Sequence, residues 1–131
     1  MKPVSIVGGG LAGLTLGIVL RRHGVEVTIH EAGQYPRHRV CGEFLCGISD
    51  HMLETAGLKD IWPQQPRLKD SAWWLGNRMK MKRPLPGTAL GVSRHQLDNA
   101  LARHFQCLGG RLLTGSRFAG DPGDGIVFAT G

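Results

Sequence analysis

The chain opens with a run of residues that leaves few ways to fold. Lys2-Pro3-Val4-Ser5-Ile6-Val7 leads into Gly8-Gly9-Gly10-Leu11-Ala12-Gly13. An apolar-faced stretch follows to Gly24, and then Val25-Glu26-Val27-Thr28-Ile29-His30-Glu31. The pattern predicts a strand, a glycine turn, a helix from about Leu11 to His23 and a second strand ending in an acid. Leu11, Leu14 and Ile18 recur at i, i+3 and i+7, the spacing of one helix face. Arg21, Arg22 and His23 suit the negative end of the helix dipole, and Gly24 suits the position just past the helix. Gly17, inside the helix, costs about 1 kcal/mol against alanine, so close packing on the sheet is its expected reason.

Strand, G-x-G-x-x-G turn, helix, strand and terminal acid, in that order, form the dinucleotide-binding fingerprint. Gly8 permits the tight turn. Gly10 lets a pyrophosphate approach the backbone, and Gly13 lets the helix pack close to the sheet. The N–H groups at the helix start, including those of Leu11 and Ala12, and the positive end of the dipole then face the phosphates. Glu31 lies 18 residues beyond Gly13, close to the expected offset of about 20. A carboxylate there accepts hydrogen bonds from ribose hydroxyls and repels a 2′-phosphate, which disfavours NADP.

Bulk properties narrow the class. The 131 residues make one small domain, and 41% apolar content supplies a core. The net charge of +6 is scattered apart from Arg37-His38-Arg39 and Lys80-Met81-Lys82-Arg83, without aromatic interleaving, so nucleic-acid binding is not expected. Cys41, Cys46 and Cys107 make an odd set without framework spacing, which suits a reducing cytoplasm. No stretch reads as a signal peptide or transmembrane helix. His38, Cys41 and Cys46 lack a C-x-x-C knuckle and a fourth ligand, so no metal site is expected.

Further along, a loop from Ala32 to Gly47 precedes a short helix with Ser49 as N-cap and Gly57 as stop. Residues 66–86 change to strand character. Ser71-Ala72-Trp73-Trp74-Leu75 meets a Gly76-Asn77 turn, and Arg78-Met79-Lys80-Met81-Lys82-Arg83 alternates, which predicts both methionines on one side. Ser93-Arg94-His95-Gln96 reads as a capping box opening a helix with Leu97, Ala100, Leu101, Phe105 and Leu108 on one face. Arg94 follows an N-cap, where acids are favoured, so its charge calls for a partner and a phosphate would serve. Strands are expected near Arg111 to Thr114 and from Ile126 to Thr130.

The βαβ unit with Glu31, the Arg39-Val40-Cys41-Gly42-Glu43 loop, the Ser93-Arg94-His95-Gln96-Leu97-Asp98 helix start and the terminal Ala129-Thr130-Gly131 follow in that order. Together they resemble FAD-dependent oxidoreductases of the p-hydroxybenzoate hydroxylase and geranylgeranyl reductase type. The resemblance implies an α/β, Rossmann-like FAD-binding domain with a parallel sheet. Residues 1–131 would be its N-terminal part, and 66–86 a hairpin inserted from a second, substrate-binding sheet. It implies that Gly8, Gly10 and Gly13 hold the FAD pyrophosphate and Glu31 the adenosine ribose. Arg39, with Arg37 as the alternate, and Arg94 would reach the phosphates or sugars, and Gly131 would sit where a parallel strand passes the cofactor. Cys41 would lie in a loop passing the flavin, where its thiol either serves redox or proton transfer or is simply a small residue in a tight loop.

The implied activity is flavin-dependent oxidation or double-bond reduction of a small organic substrate, with NAD(P)H as external reductant. The family continues beyond Ala129-Thr130-Gly131, so the chain reads as a fragment, inactive alone, whose open strand edges favour self-association. The alternative is a non-catalytic module that binds the ADP moiety of a dinucleotide and needs a partner chain.

Overall fold

A computed structural model describes residues 2–61 and 65–130. Strand β1 (Val4–Val7) leads into helix α1 (Leu11–Arg22) and strand β2 (Val27–Glu31). Then come a two-residue strand β3 (Phe44–Leu45), helix α2 (Asp50–Ala56), a 3-10 turn (Lys59–Ile61) and the long strands β4 (Arg67–Leu75) and β5 (Arg78–Gly91). Helix α3 (Arg94–Cys107) returns the chain to β6 (Arg111–Thr114) and β7 (Ile126–Phe128).

The strands form two sheets. One is parallel, in the order β6-β2-β1-β7; the other is antiparallel, in the order β3-β5-β4. The parallel order is that of the first four strands of a doubly wound sheet. The chain builds outward from β1 through β2 to β6 on one side and then crosses to β7 on the other side of β1, and ligands bind at the carboxyl ends of strands beside such a reversal.

Helices α1 and α3 close over the parallel sheet. Ile6, Leu14, Ile18, Val27 and Ile29 meet Leu97, Leu101, Ala102 and Phe105 in one buried cluster. Each large side chain fully buried there contributes about 1.5–3 kcal/mol. A Cβ on Gly17 would come within 2.8 Å of Ile29 and 3.0 Å of Phe105, so close packing does explain that glycine.

The α3 stripe differs from expectation. Ala102 rather than Ala100 reaches the core, and Asp98, fully buried, shares the apolar face. Ser49 caps α2 through the Met52 N–H at 3.1 Å, and Gly57, at φ 68°, ends it. Ser93 caps α3 through the His95 N–H at 3.2 Å rather than through Gln96, the partner a capping box would use.

The hairpin extends past the expected 66–86, because β5 runs on to Gly91 and there pairs with β3. Residues 44–45, placed in a loop by composition, are therefore a strand. Gly76, at φ 57°, opens the turn between β4 and β5. A register shift pairs Trp73 with Met81 but Trp74 with Met79. Cross-strand partners share a face and successive residues alternate, so the bulge at Lys80 puts the two methionines on opposite faces, against the simple period-two expectation.

Candidate functional site

The carboxyl ends of β1, β2 and β7 converge on the glycine turn. Gly8, at φ 109°, donates to His30 C=O at 2.8 Å; a Cβ there would lie 2.6 Å from Ala129 C=O. A Cβ on Gly13 would overlap the Gly8 carbonyl, so α1 meets the turn backbone to backbone. A Cβ on Gly10 would meet nothing within 4 Å. Gly10 is the N-cap of α1. No side chain caps it, and the first turn, with Leu11 and Ala12, holds no acid. An open approach to uncapped N–H groups at the positive end of a helix fits a pyrophosphate.

Glu31 ends β2 and is 4% exposed. Its Oε2 accepts from Gly9 N–H at 2.9 Å. Its Oε1 accepts from Gly33 N–H at 2.7 Å and from Arg37 Nη2 at 2.9 Å. Arg39 Nη2 lies 3.5 Å from Oε2. Burial pushes the carboxyl upward, but the amides of Gly33 and Gly9 and the charges of Arg37 and Arg39 outweigh it and hold it below the ordinary value. Glu31 is therefore a fixed anion that ties the glycine turn to β2. Tyr35 donates its hydroxyl to Gly9 C=O. Burial, then the charges of Glu31 and Asp98, raise its pKa, so the phenol stays protonated.

The network continues to α3. Arg39 Nε lies 3.3 Å from Asp98 Oδ2, and Arg94 grips both Asp98 oxygens at 2.8 and 2.9 Å. Arg94 thus has a protein partner, where the sequence suggested a phosphate. The Asp98 bond raises its pKa further. The structure brings together Gly8, Gly10, Leu11, Ala12, Gly13, Glu31, Arg39 and Arg94. Arg37 lies over Gly33, with its Nε buried and unpartnered.

Cys41 is exposed, and its Sγ accepts from Glu43 N–H at 3.3 Å, which tightens its own loop. Gly131 lies outside the described residues. Composition and motif reading passed over Tyr35 and the role of Asp98. For Asp98 a signal existed: it stands four residues after Arg94 and directly after core Leu97.

Beside Glu31 a cleft of about 270 Å³ is lined by Gly8, His30, Arg117, Phe118 and Thr130 among others. Phe118 meets His30 edge to face at 5.1 Å. The buried acid Glu31 stands at its margin.

Comparison with known proteins agrees with this geometry. Residues 1–125 match the family described as FAD binding domain. A tryptophan 2-halogenase from Chondromyces crocatus is 30% identical over 117 residues, which are 86% of this chain and 22% of the halogenase. The tetrameric form of 2-methyl-3-hydroxypyridine-5-carboxylic acid oxygenase superposes with a TM-score of 0.72 at 27% identity, over 89% of this chain and 32% of that one. The flavin-dependent monooxygenase PieE, in complex with FAD and substrate, shares the fold at 21% identity, with a TM-score of 0.77 over 93% of this chain and 25% of that one. The chain therefore spans between a fifth and a third of the length of these proteins. It belongs to the FAD binding domain family, and its cofactor is FAD.

Proposed function

We propose that this chain is the cofactor-holding part of a flavin-dependent oxidoreductase that acts on a small organic substrate. The observation that carries the proposal is the open, uncapped start of α1 at Gly10, set beside a buried acid that is ionised and tied to the same turn. The backbone from Gly8 to Gly13 holds the pyrophosphate, and Glu31 accepts from the adenosine ribose. The adenine enters the cleft beside Glu31, whose wall includes His30 and Phe118. Arg39, with Arg37 beside it, supplies positive charge near the phosphates, while Arg94 holds Asp98. Bound flavin supplies two-electron redox chemistry. The chain's own groups bind and orient it, and Tyr35, protonated and bonded to Gly9, stiffens the turn.

The halogenase and oxygenase relatives support oxidation or halogenation of an aromatic substrate over double-bond reduction, and NAD(P)H is the external reductant in this reading. The hairpin β4–β5 is the first piece of a substrate-binding sheet, with its exposed Trp73 and Trp74 turned outward. Cys41 belongs to the loop nearest the flavin and acts there as a small, turn-forming residue. The unpaired cysteines fit a reducing cytoplasm. Among the described residues no helix is long and apolar enough to cross a membrane.

One observation favours a second reading, a module that holds only the ADP part and needs a further chain. Edge strand β7 leaves Val127 and Phe128 exposed, a surface suited to a partner or a second copy. Titration of the purified chain with FAD and with ADP separates the two. Flavin fluorescence quenching and a perturbed visible spectrum, with FAD tighter than ADP, support the first reading. Equal affinities support the second, and a folded chain that binds neither sinks both.

A further inference from the structure

Glu31 and Asp98 are the buried charged side chains among the described residues. The role of Glu31 follows from the glycine turn, whereas that of Asp98 does not. A buried carboxylate on the core face of α3 calls for a reason beyond stability, because well-packed apolar residues often serve as well. What it does is hold cations. Arg94 takes both of its oxygens, and Arg39 Nε stands 3.3 Å from Oδ2.

Arg39 is the loose member of the set. Its contacts at 3.3 Å to Asp98 and 3.5 Å to Glu31 are ion pairs without hydrogen-bond alignment, and its side chain is 32% exposed. Glu31 already accepts three well-formed hydrogen bonds, from Gly9, Gly33 and Arg37. A carboxylate offers about four acceptor directions, and Arg39 faces the remaining one. A ribose hydroxyl that donates to Glu31 must therefore take the place of Arg39.

We infer that Asp98 is a positioning residue: it keeps Arg39 at the glycine turn while Arg39 yields Glu31 to the incoming ribose, which frees the guanidinium for the phosphates. The inference rests on the FAD-binding reading above. Asp98 itself touches no ligand; it acts through Arg39, with Arg94 as the fixed clamp that holds the carboxylate still.

The test is equilibrium binding of ADP and of adenosine to the wild-type chain, Arg39→Ala, Asp98→Asn and the double variant. Arg39→Ala should weaken ADP about tenfold, equivalent to about 1.4 kcal/mol, yet bind adenosine no more weakly than wild type, because Glu31 is then free. Asp98→Asn should weaken ADP by a similar factor. The double variant should be within about twofold of Arg39→Ala, since the two residues act as one unit. Asp98→Asn that binds ADP like wild type, or losses that multiply in the double variant, overturn the inference and leave FAD binding intact. A wild-type chain that binds neither ADP nor FAD overturns both.

Should Asp98→Asn fail to fold, the wild-type chain still decides. In nitrogen-15 spectra of the arginine Nε–H groups, ADP should move the Arg39 signal and leave that of Arg94, locked on Asp98, in place. A shifted Arg94 signal beside an unmoved Arg39 signal overturns the inference.

Discussion

Gly10 and Gly13 stand three positions apart and do opposite work. A methyl group on Gly13 would drive α1 off the Gly8 carbonyl and Ile6, whereas one on Gly10 points into open space. Gly13→Ala should therefore lower stability by about 3 kcal/mol, at the upper end of the usual overpacking cost. Gly10→Ala should cost within about 1 kcal/mol, the order of an N-cap change, and weaken ADP binding far more than it weakens the fold. Denaturant unfolding paired with ADP titration checks both. Equal stability losses would mean that the turn has no open side. The motif spacing identified both glycines, because backbone geometry imposes them locally. It could not identify Tyr35, whose bond to Gly9 depends on the path of a loop.

Legibility declines from the local to the paired. Strand β1, helix α1 and strand β2 follow from periodicity and glycine placement, and α2 from Ser49 and Gly57, since each signal lies within a few residues of what it sets. Strand β3 is two residues long and exists because β5 runs far enough to pair with it, which nothing in residues 44–45 announces. The faces of Met79 and Met81 depend on a bulge, a property of two strands together. The buried place of Asp98 was half visible, since its spacing from Arg94 is a helical ion-pair spacing, but the contact to Arg39 joins a loop to a helix. The hairpin also has its own stability. Leu75, Trp73 and Trp74 near its turn are exposed, so little ties that end to the core. Gly76→Ala, forced to φ 57°, should speed amide hydrogen exchange in residues 71–83 and leave β1, β2 and α1 protected. Uniform loss of protection would show instead that the two sheets unfold as one.

Acid response belongs to the whole molecule, because Glu31 joins the glycine turn, β2 and the arginine loop that leads to α3. The folded pKa of Glu31 lies below its ordinary value of 4.5. The stabilisation is therefore fully present above about pH 4.5 and is lost as the pH falls from there through the folded value. Unfolding free energy should decline on acidification in that window, and Glu31→Gln should be less stable at neutral pH with a flatter acid limb. A parallel pH profile for the variant would assign the acid sensitivity elsewhere.

The contact between Gly8 and Ala129 carries a consequence for how the molecule comes into being. The pyrophosphate turn is written in residues 8–13, but its floor is the carbonyl of Ala129, 121 residues beyond Gly8. A nascent chain can form β1, α1 and β2 early, since their contacts are short-range, yet it holds no finished nucleotide seat until β7 slots in beside β1. Such long-range pairings form slowly. Cofactor capture thus waits on the pairing of β7 with β1 rather than guiding the formation of the β1–α1–β2 unit.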